Sequence, residues 1–162
     1  MSSTNKVSKQ KKKYDSLDDT LRHINRVQEL LLTIQAELIK RAVRHDYTKL
    51  LRPEKPIFDK HTPKLKSSTY GSKEYSSFLK ILAPALKHHY SCHRHHPQFH
   101  KHGIADMNLI DLIEMICDWK ASSERHDDGN LAASITVNCK RFKLDKITVL
   151  EILDNTRLTM GW

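Results

Sequence analysis

Glycine and proline are scarce in this chain, four and five among 162 residues. So few turn formers, with long uninterrupted runs between them, argue for helices. No stretch approaches the ~18 apolar residues of a transmembrane helix. The opening MSSTNKVSKQKKK has no apolar core of the kind a signal peptide needs. Cysteine is limited to Cys92, Cys117 and Cys139, an odd and widely spaced set without a CxxC pair. That excludes a disulfide framework and points to a reducing compartment. A cytoplasmic location and no membrane association are the expectations. A Gly-rich phosphate loop and a GxSxG elbow are both missing.

What is present is positive charge, with a formal net of +9. Lys6, Lys9, Lys11, Lys12 and Lys13 supply five of those charges in a segment without acids, which leaves +4 for the remainder. Residues 1–15 therefore read as a disordered basic tail, too poor in apolar groups to offset their ordering entropy. Such a tail attracts nucleic acid weakly and without sequence preference. Residues 16–162 read as one all-α domain, long enough for a hydrophobic core.

Leu17, Leu21, Ile24, Val27 and Leu31 recur at three- and four-residue steps, and Leu38, Ile39, Ala42 and Val43 continue the pattern. Ser16 is a candidate N-cap for this run, and Asp18 and Asp19 suit its first turn. Residues 52–72 hold three of the five prolines and read as a long irregular connection with at most a short helix. Residues 73–92 read as helical, with Pro84 marking a kink or a start. Residues 104–125 form the clearest apolar helix. DDGN at 127–130 is a turn, and residues 131–142 and 145–159 are the last two helices.

The segment KHHYSCHRHHPQFHKH, residues 87–102, holds seven of the eleven histidines. A metal site, a pH-sensitive patch or a low-complexity accident would each produce such a run. The surrounding order favours metal. His23 lies on an upstream helix, His45-Asp46 ends the first helical run, His88, His89, His95 and His96 follow, and Asp118 sits in a later helix. In TLRHINRV, RAVRHDYTK, HHYSCHRHHP and LIEMICDW the chain resembles the HD superfamily of metal-dependent phosphohydrolases. More narrowly it looks like a family of small HD-like proteins of unassigned function from phage and bacterial genomes. The resemblance covers roughly residues 17–125.

The resemblance implies an all-α HD-like bundle. It implies metal ligands at His23, His45, Asp46 and Asp118, and a second metal completed by His89 with either His95 or His96. Imidazole and carboxylate donors suit Mn, Fe, Co, Ni and Zn, in one or two divalent ions. Asp46, beside a ligand histidine, is placed to bridge two ions. Hydrolysis of a small phosphoester, a nucleotide above all, by metal-activated water is the expected reaction. Asp46 and Lys49 would be its catalytic residues, and Lys49, Asp111, Arg125 and Arg141 its candidate contacts to substrate.

Geometry constrains this set. On one straight helix His23 and His45 would lie about 33 Å apart. Sharing an ion therefore requires a hairpin near Ile34, with Thr33 capping its second arm. Each residue also has a plainer explanation. A lone helical histidine such as His23 is usually an ordinary surface group. Asp111 and Glu114 read equally as solvated acids, and Lys49 as a solvated helix-end lysine. His93, His100 and His102 read as surface residues. Asp118 stands out, because Met115, Ile116, Cys117 and Trp119 surround it with apolar neighbours and a buried carboxylate needs a partner.

Two other function classes fit the same residues. A mixed-ligand di-iron oxygenase would use the same donors. A non-catalytic module would keep the metal for stability and dock its tail on nucleic acid, with salt-sensitive binding. Deleting residues 1–13 separates the tail from the chemistry. Turnover of a small phosphoester is expected to stay nearly unchanged, and a large fall in kcat would show that the tail belongs to the working site.

Overall fold

The computed structural model describes residues 14–66, 73–124, 130–142 and 148–161. The described residues form six α-helices and no strand, so the protein is all-α. They are α1 (Leu17–Arg44), α2 (Glu54–Lys66), α3 (Lys73–Cys92), α4 (Leu109–Ser123), α5 (Leu131–Phe142) and α6 (Thr148–Met160). Short 3-10 turns lie at Tyr47–Leu50, Pro97–Phe99 and Gly103–Asp106. By its contacts the chain divides into two units inside α1, Met1–Ala36 and Glu37–Trp162. The basic tail, residues 1–13, lies outside the described residues.

In the first unit α1 is regular. Ser16 holds the N-cap position, its carbonyl accepting from Thr20 N at 2.9 Å, and the Asp15 side chain accepts from Leu17 N at 3.0 Å. The hairpin required near Ile34 does not form, because α1 is continuous from Leu17 to Arg44. The reason is local: LLTIQ has no glycine or proline, and the Thr33 hydroxyl bonds back to the Glu29 carbonyl at 2.9 Å instead of capping a new helix. The apolar stripe from Leu17 through Leu31 is exposed, and α1 buries none of its residues.

The second unit holds the core. Met115, Ile116 and Trp119 of α4 pack with Leu131, Ile135 and Cys139 of α5 and Leu153 of α6. The Trp119 and Phe142 rings stack at 6.4 Å. α2 packs on α3, with Leu82 and Ala85 buried on the α3 side. The proline-rich stretch expected to be irregular is thus largely α2. Pro56 falls in its first turn, where a missing N–H costs nothing, although Pro63 lies inside the helix. Likewise α3 runs through Pro84 without ending. The apolar helix expected over 104–125 begins later, at Leu109, after a 3-10 turn.

α4 has two faces. Asp111, Glu114 and Asp118 follow one helical stripe, and Met115, Ile116 and Trp119 follow the other. Asn108 and Asp111 close a capping box at its start: Asp111 N donates to Asn108 Oδ1 at 2.9 Å, and Asn108 N donates to Asp111 Oδ2 at 3.2 Å. Asp111 is fully buried and also accepts from Arg41 Nη2 at 2.9 Å and from Arg94 Nε and Nη2 at 3.2 and 3.0 Å. The residue expected at the substrate is therefore the clasp that ties the end of α1, the 93–96 loop and α4 together. Asp111→Ala strands two guanidinium groups and removes half of the cap. It is expected to lower unfolding free energy by about 3 kcal/mol, read as a lower urea midpoint with an unchanged slope.

Candidate metal centre

The site is built where α1 ends. Asp46 adopts a left-handed backbone, φ 53° and ψ 18°. That conformation stops the helix, and aspartate tolerates it better than most residues. It leaves His45 and Asp46 at the mouth of a half-buried pocket, facing the end of α3, the 93–96 loop and α4. Six side chains meet there: His45, Asp46, His89, His95, His96 and Asp118.

They form two groups sharing one carboxylate. Asp46 with His89, His95 and His96 makes the first, and His45, Asp46 and Asp118 the second. The oxygens of Asp46 divide between them. Oδ1 lies 3.2 Å from His89 Nε2 and 3.5 Å from His95 Nε2. Oδ2 lies 3.5 Å from His45 Nε2, which is itself 3.8 Å from Asp118 Oδ1. His45, His95 and Glu114 make a third cluster of donor atoms.

Two further carboxylates orient the rings. Glu54, fully buried in the first turn of α2, accepts from His89 Nδ1 at 3.0 Å and from His88 Nδ1 at 2.7 Å. With Nδ1 committed to Glu54, His89 turns Nε2 inward, 2.8 Å from His96 Nε2. Glu114 Oε1 accepts from His45 Nδ1 at 3.0 Å, and Arg41 Nη1 holds its other oxygen at 3.0 Å. Glu114 Oε1 is also 3.0 Å from His95 Nδ1, a charge contact without hydrogen-bond geometry. Carboxylates behind histidines in this manner set ligand tautomers in metal sites.

The donors fit a metal ion on an observation independent of any family. Asp46 Oδ1 and both ring nitrogens of His95 are buried without a hydrogen-bond partner. Orphaned polar atoms are costly, and here Asp46 Oδ1 and His95 Nε2 face each other at 3.5 Å while His95 Nδ1 faces Glu114. Their electrostatics agree. The Asp118 carboxylate first, and Glu114 next, raise His45 from 6.5 to about 10 against the effect of burial. Burial, with His95 and His89 adding to it, lowers His96 to about 3, so it is a neutral imidazole ready to donate. Burial pushes the Asp46 carboxyl up, but the neighbouring His89 ring and the charge of Lys49 hold it well below the ordinary range. Asp118 is likewise held low by His45 despite burial.

Other expected residues lie elsewhere. His23 is exposed in the first unit and joins none of the donor groups, so the ligand role implied for it has lost the hairpin that would support it. Lys49 pairs with Asp46 Oδ2. Arg141 is exposed on α5 with its guanidinium 4.9 Å from the Phe142 ring centre. Arg125 lies outside the described residues. His93, expected at the surface, is buried at 2.7 Å from Thr48 Oγ1, and His100 donates to the Arg94 carbonyl at 2.8 Å. The choice between His95 and His96 dissolves, because both face the same space. Glu54 was not anticipated. Its signal was the proline two residues on, which marks a first helical turn.

Over residues 12–158 the chain matches a family of unknown function, DUF5662. It belongs to that family. No curated protein and no solved structure matches it. The family description carries no HD domain, and the histidine–aspartate cluster is compatible with an HD-like fold.

An ion bound through His45 Nε2 must displace the proton that His45 holds at neutral pH. Affinity for a divalent metal is therefore expected to rise with pH from about 6.5 until His45 titrates near 10. His96 is already neutral and adds no proton. Calorimetry at pH 7.5 in two buffers of different ionisation enthalpy should report about one proton released per chain, and His45→Ala should abolish that release. Without metal the sign reverses. The charged His45 stabilises the fold fully below 6.5, and that contribution is lost as pH rises through 10.

Proposed function

We propose that the cluster is a two-ion centre and that the protein is a metal-dependent phosphohydrolase acting on a small phosphoester, with a nucleotide as the leading substrate class. The observation that carries this reading is the division of Asp46, one oxygen facing His89 and His95 and the other facing His45. A carboxylate shared in this way suits ions about 3.5–4 Å apart, the spacing that serves phosphoester hydrolysis. Divalent transition metals held there would supply a reactive water near neutral pH and offset charge on phosphorus. The chain's own contribution is alignment and exclusion of water. Glu54 and Glu114 fix the imidazoles, burial keeps His89 and His95 from solvent, and Lys49, partly exposed and paired with Asp46, would meet an incoming phosphate as a point charge. The ordered motifs shared with the HD superfamily support the same reaction.

Mixed imidazole and carboxylate donors also suit iron, so an HD-type oxygenase is the competing chemistry. Metal analysis, a panel of nucleoside phosphates and cyclic nucleotides, and O₂ uptake by anaerobically purified protein separate the two. His89→Ala is expected to lower metal content by about one ion per chain and to reduce kcat far more than substrate affinity, since paired ions act chiefly on the transition state. Asp46→Ala should remove most of both ions and leave a helical circular-dichroism spectrum. A metal-replete protein that hydrolyses none of the panel, or a His89→Ala variant with full metal and full activity, overturns the proposal.

A further inference from the structure

Beside the centre the second unit has an open cavity of about 690 Å³. That volume matches small-molecule sites, which run to about 300–1,000 Å³. Of the centre's donor residues Glu114 lines it, and His45, Asp46, His89, His95, His96 and Asp118 do not. Its wall is cationic: Lys40, Arg41 and Arg44 come from the last turns of α1, and Arg94 from the loop after α3.

Two of these cations are held in advance. Arg41 commits Nε, Nη1 and Nη2 to Glu37, Glu114 and Asp111, while Arg94 grips the buried Asp111 with Nε and Nη2 and leaves Nη1 uncommitted. Two are available. Lys40 touches only Glu37, at 3.4 Å with both side chains largely exposed, a contact worth little. Among the described residues Arg44 has no ion-pair partner. The lining holds four cations against two acids: Glu37 is shared by Lys40 and Arg41 at 3.4 Å, and Glu114 is already divided among Arg41, His45 and His95. Tyr47 adds an exposed ring to the same wall.

We infer that this cavity is a second binding site, distinct from the metal centre, for a small phosphate-bearing anion. Preset guanidinium groups lower the ordering cost of binding, and planar forks match phosphate oxygens. The Tyr47 ring gives a phosphorylated aromatic compound an additional surface that a free anion cannot use.

Pyrophosphate and ADP are the probes, titrated calorimetrically into the full chain as purified and again after metal removal by dialysis. Both probes should bind in both states. A Lys40→Gln/Arg44→Gln variant, altered at two exposed positions, should bind at least about tenfold more weakly while keeping its circular-dichroism spectrum and metal content. Tighter binding of ADP than of pyrophosphate, with the difference lost in Tyr47→Ala, assigns the site to a phosphorylated aromatic ligand; equal binding assigns it to the free anion. The inference fails if neither probe binds, if the double variant binds normally, or if binding disappears with the metal, which would place the anion at the centre. Because binding is read without metal, failure of the two-ion proposal leaves this result standing.

Discussion

The centre depends on hydrogen bonds made behind it. Glu54 and Glu114 occupy the Nδ1 side of His89 and His45, which leaves the two Nε2 atoms facing the two oxygens of Asp46. An imidazole free to rotate would satisfy itself elsewhere, with a carbonyl or a neighbouring carboxylate. Each glutamate is in turn pinned. Glu54 is held by a second histidine, His88, and Glu114 by Arg41, which also grips Asp111. The geometry of the inward-facing atoms is therefore set two contacts away, by residues on α1, α2, α3 and α4.

α4 shows how the polar site and the apolar core coexist. One stripe of this helix places Met115, Ile116 and Trp119 against α5 and α6. The opposite stripe lines up three carboxylates. Asp111 is consumed by arginines, Glu114 by histidines and an arginine, and Asp118 is left at the pocket. Their pairing offsets the burial of so much charge, since an unpaired carboxylate in that position would be prohibitive.

Much of this was legible in the sequence where the chemistry is local. Scarce glycine and proline, and the three-to-four spacing of apolar residues, foretold helices, and α3, α5 and α6 lie close to their expected spans. The adjacency of His45 and Asp46, and the acid lodged in an apolar run at Asp118, pointed to the pocket without any tertiary knowledge. What failed depended on distance. The return of α1 upon itself was inferred from the need to bring His23 to His45, and nothing in LLTIQ opposes an unbroken helix. Prolines at 53, 56 and 63 suggested irregular chain, yet one of them sits in a first turn, where it is harmless, and Glu54 was hidden with the helix it begins. Asp111 looked like a free acid because the two arginines that claim it come from 70 residues and 17 residues away in the chain.

The left-handed backbone at Asp46 has an evolutionary consequence. Glycine is the residue that such a φ favours, and glycine and aspartate codons differ by a single base. Asp46→Gly therefore lies one point mutation away. It removes the carboxylate common to both donor groups while easing the turn that ends α1. Most routes by which a gene loses its activity also damage the product, and quality control clears it. If the proposed chemistry holds, glycine here would keep the turn that ends α1, so an inactive copy would retain its scaffold and still occupy whatever the rest of its surface binds. Gene lineages carrying glycine here would be expected among relatives that have kept the scaffold and abandoned the chemistry.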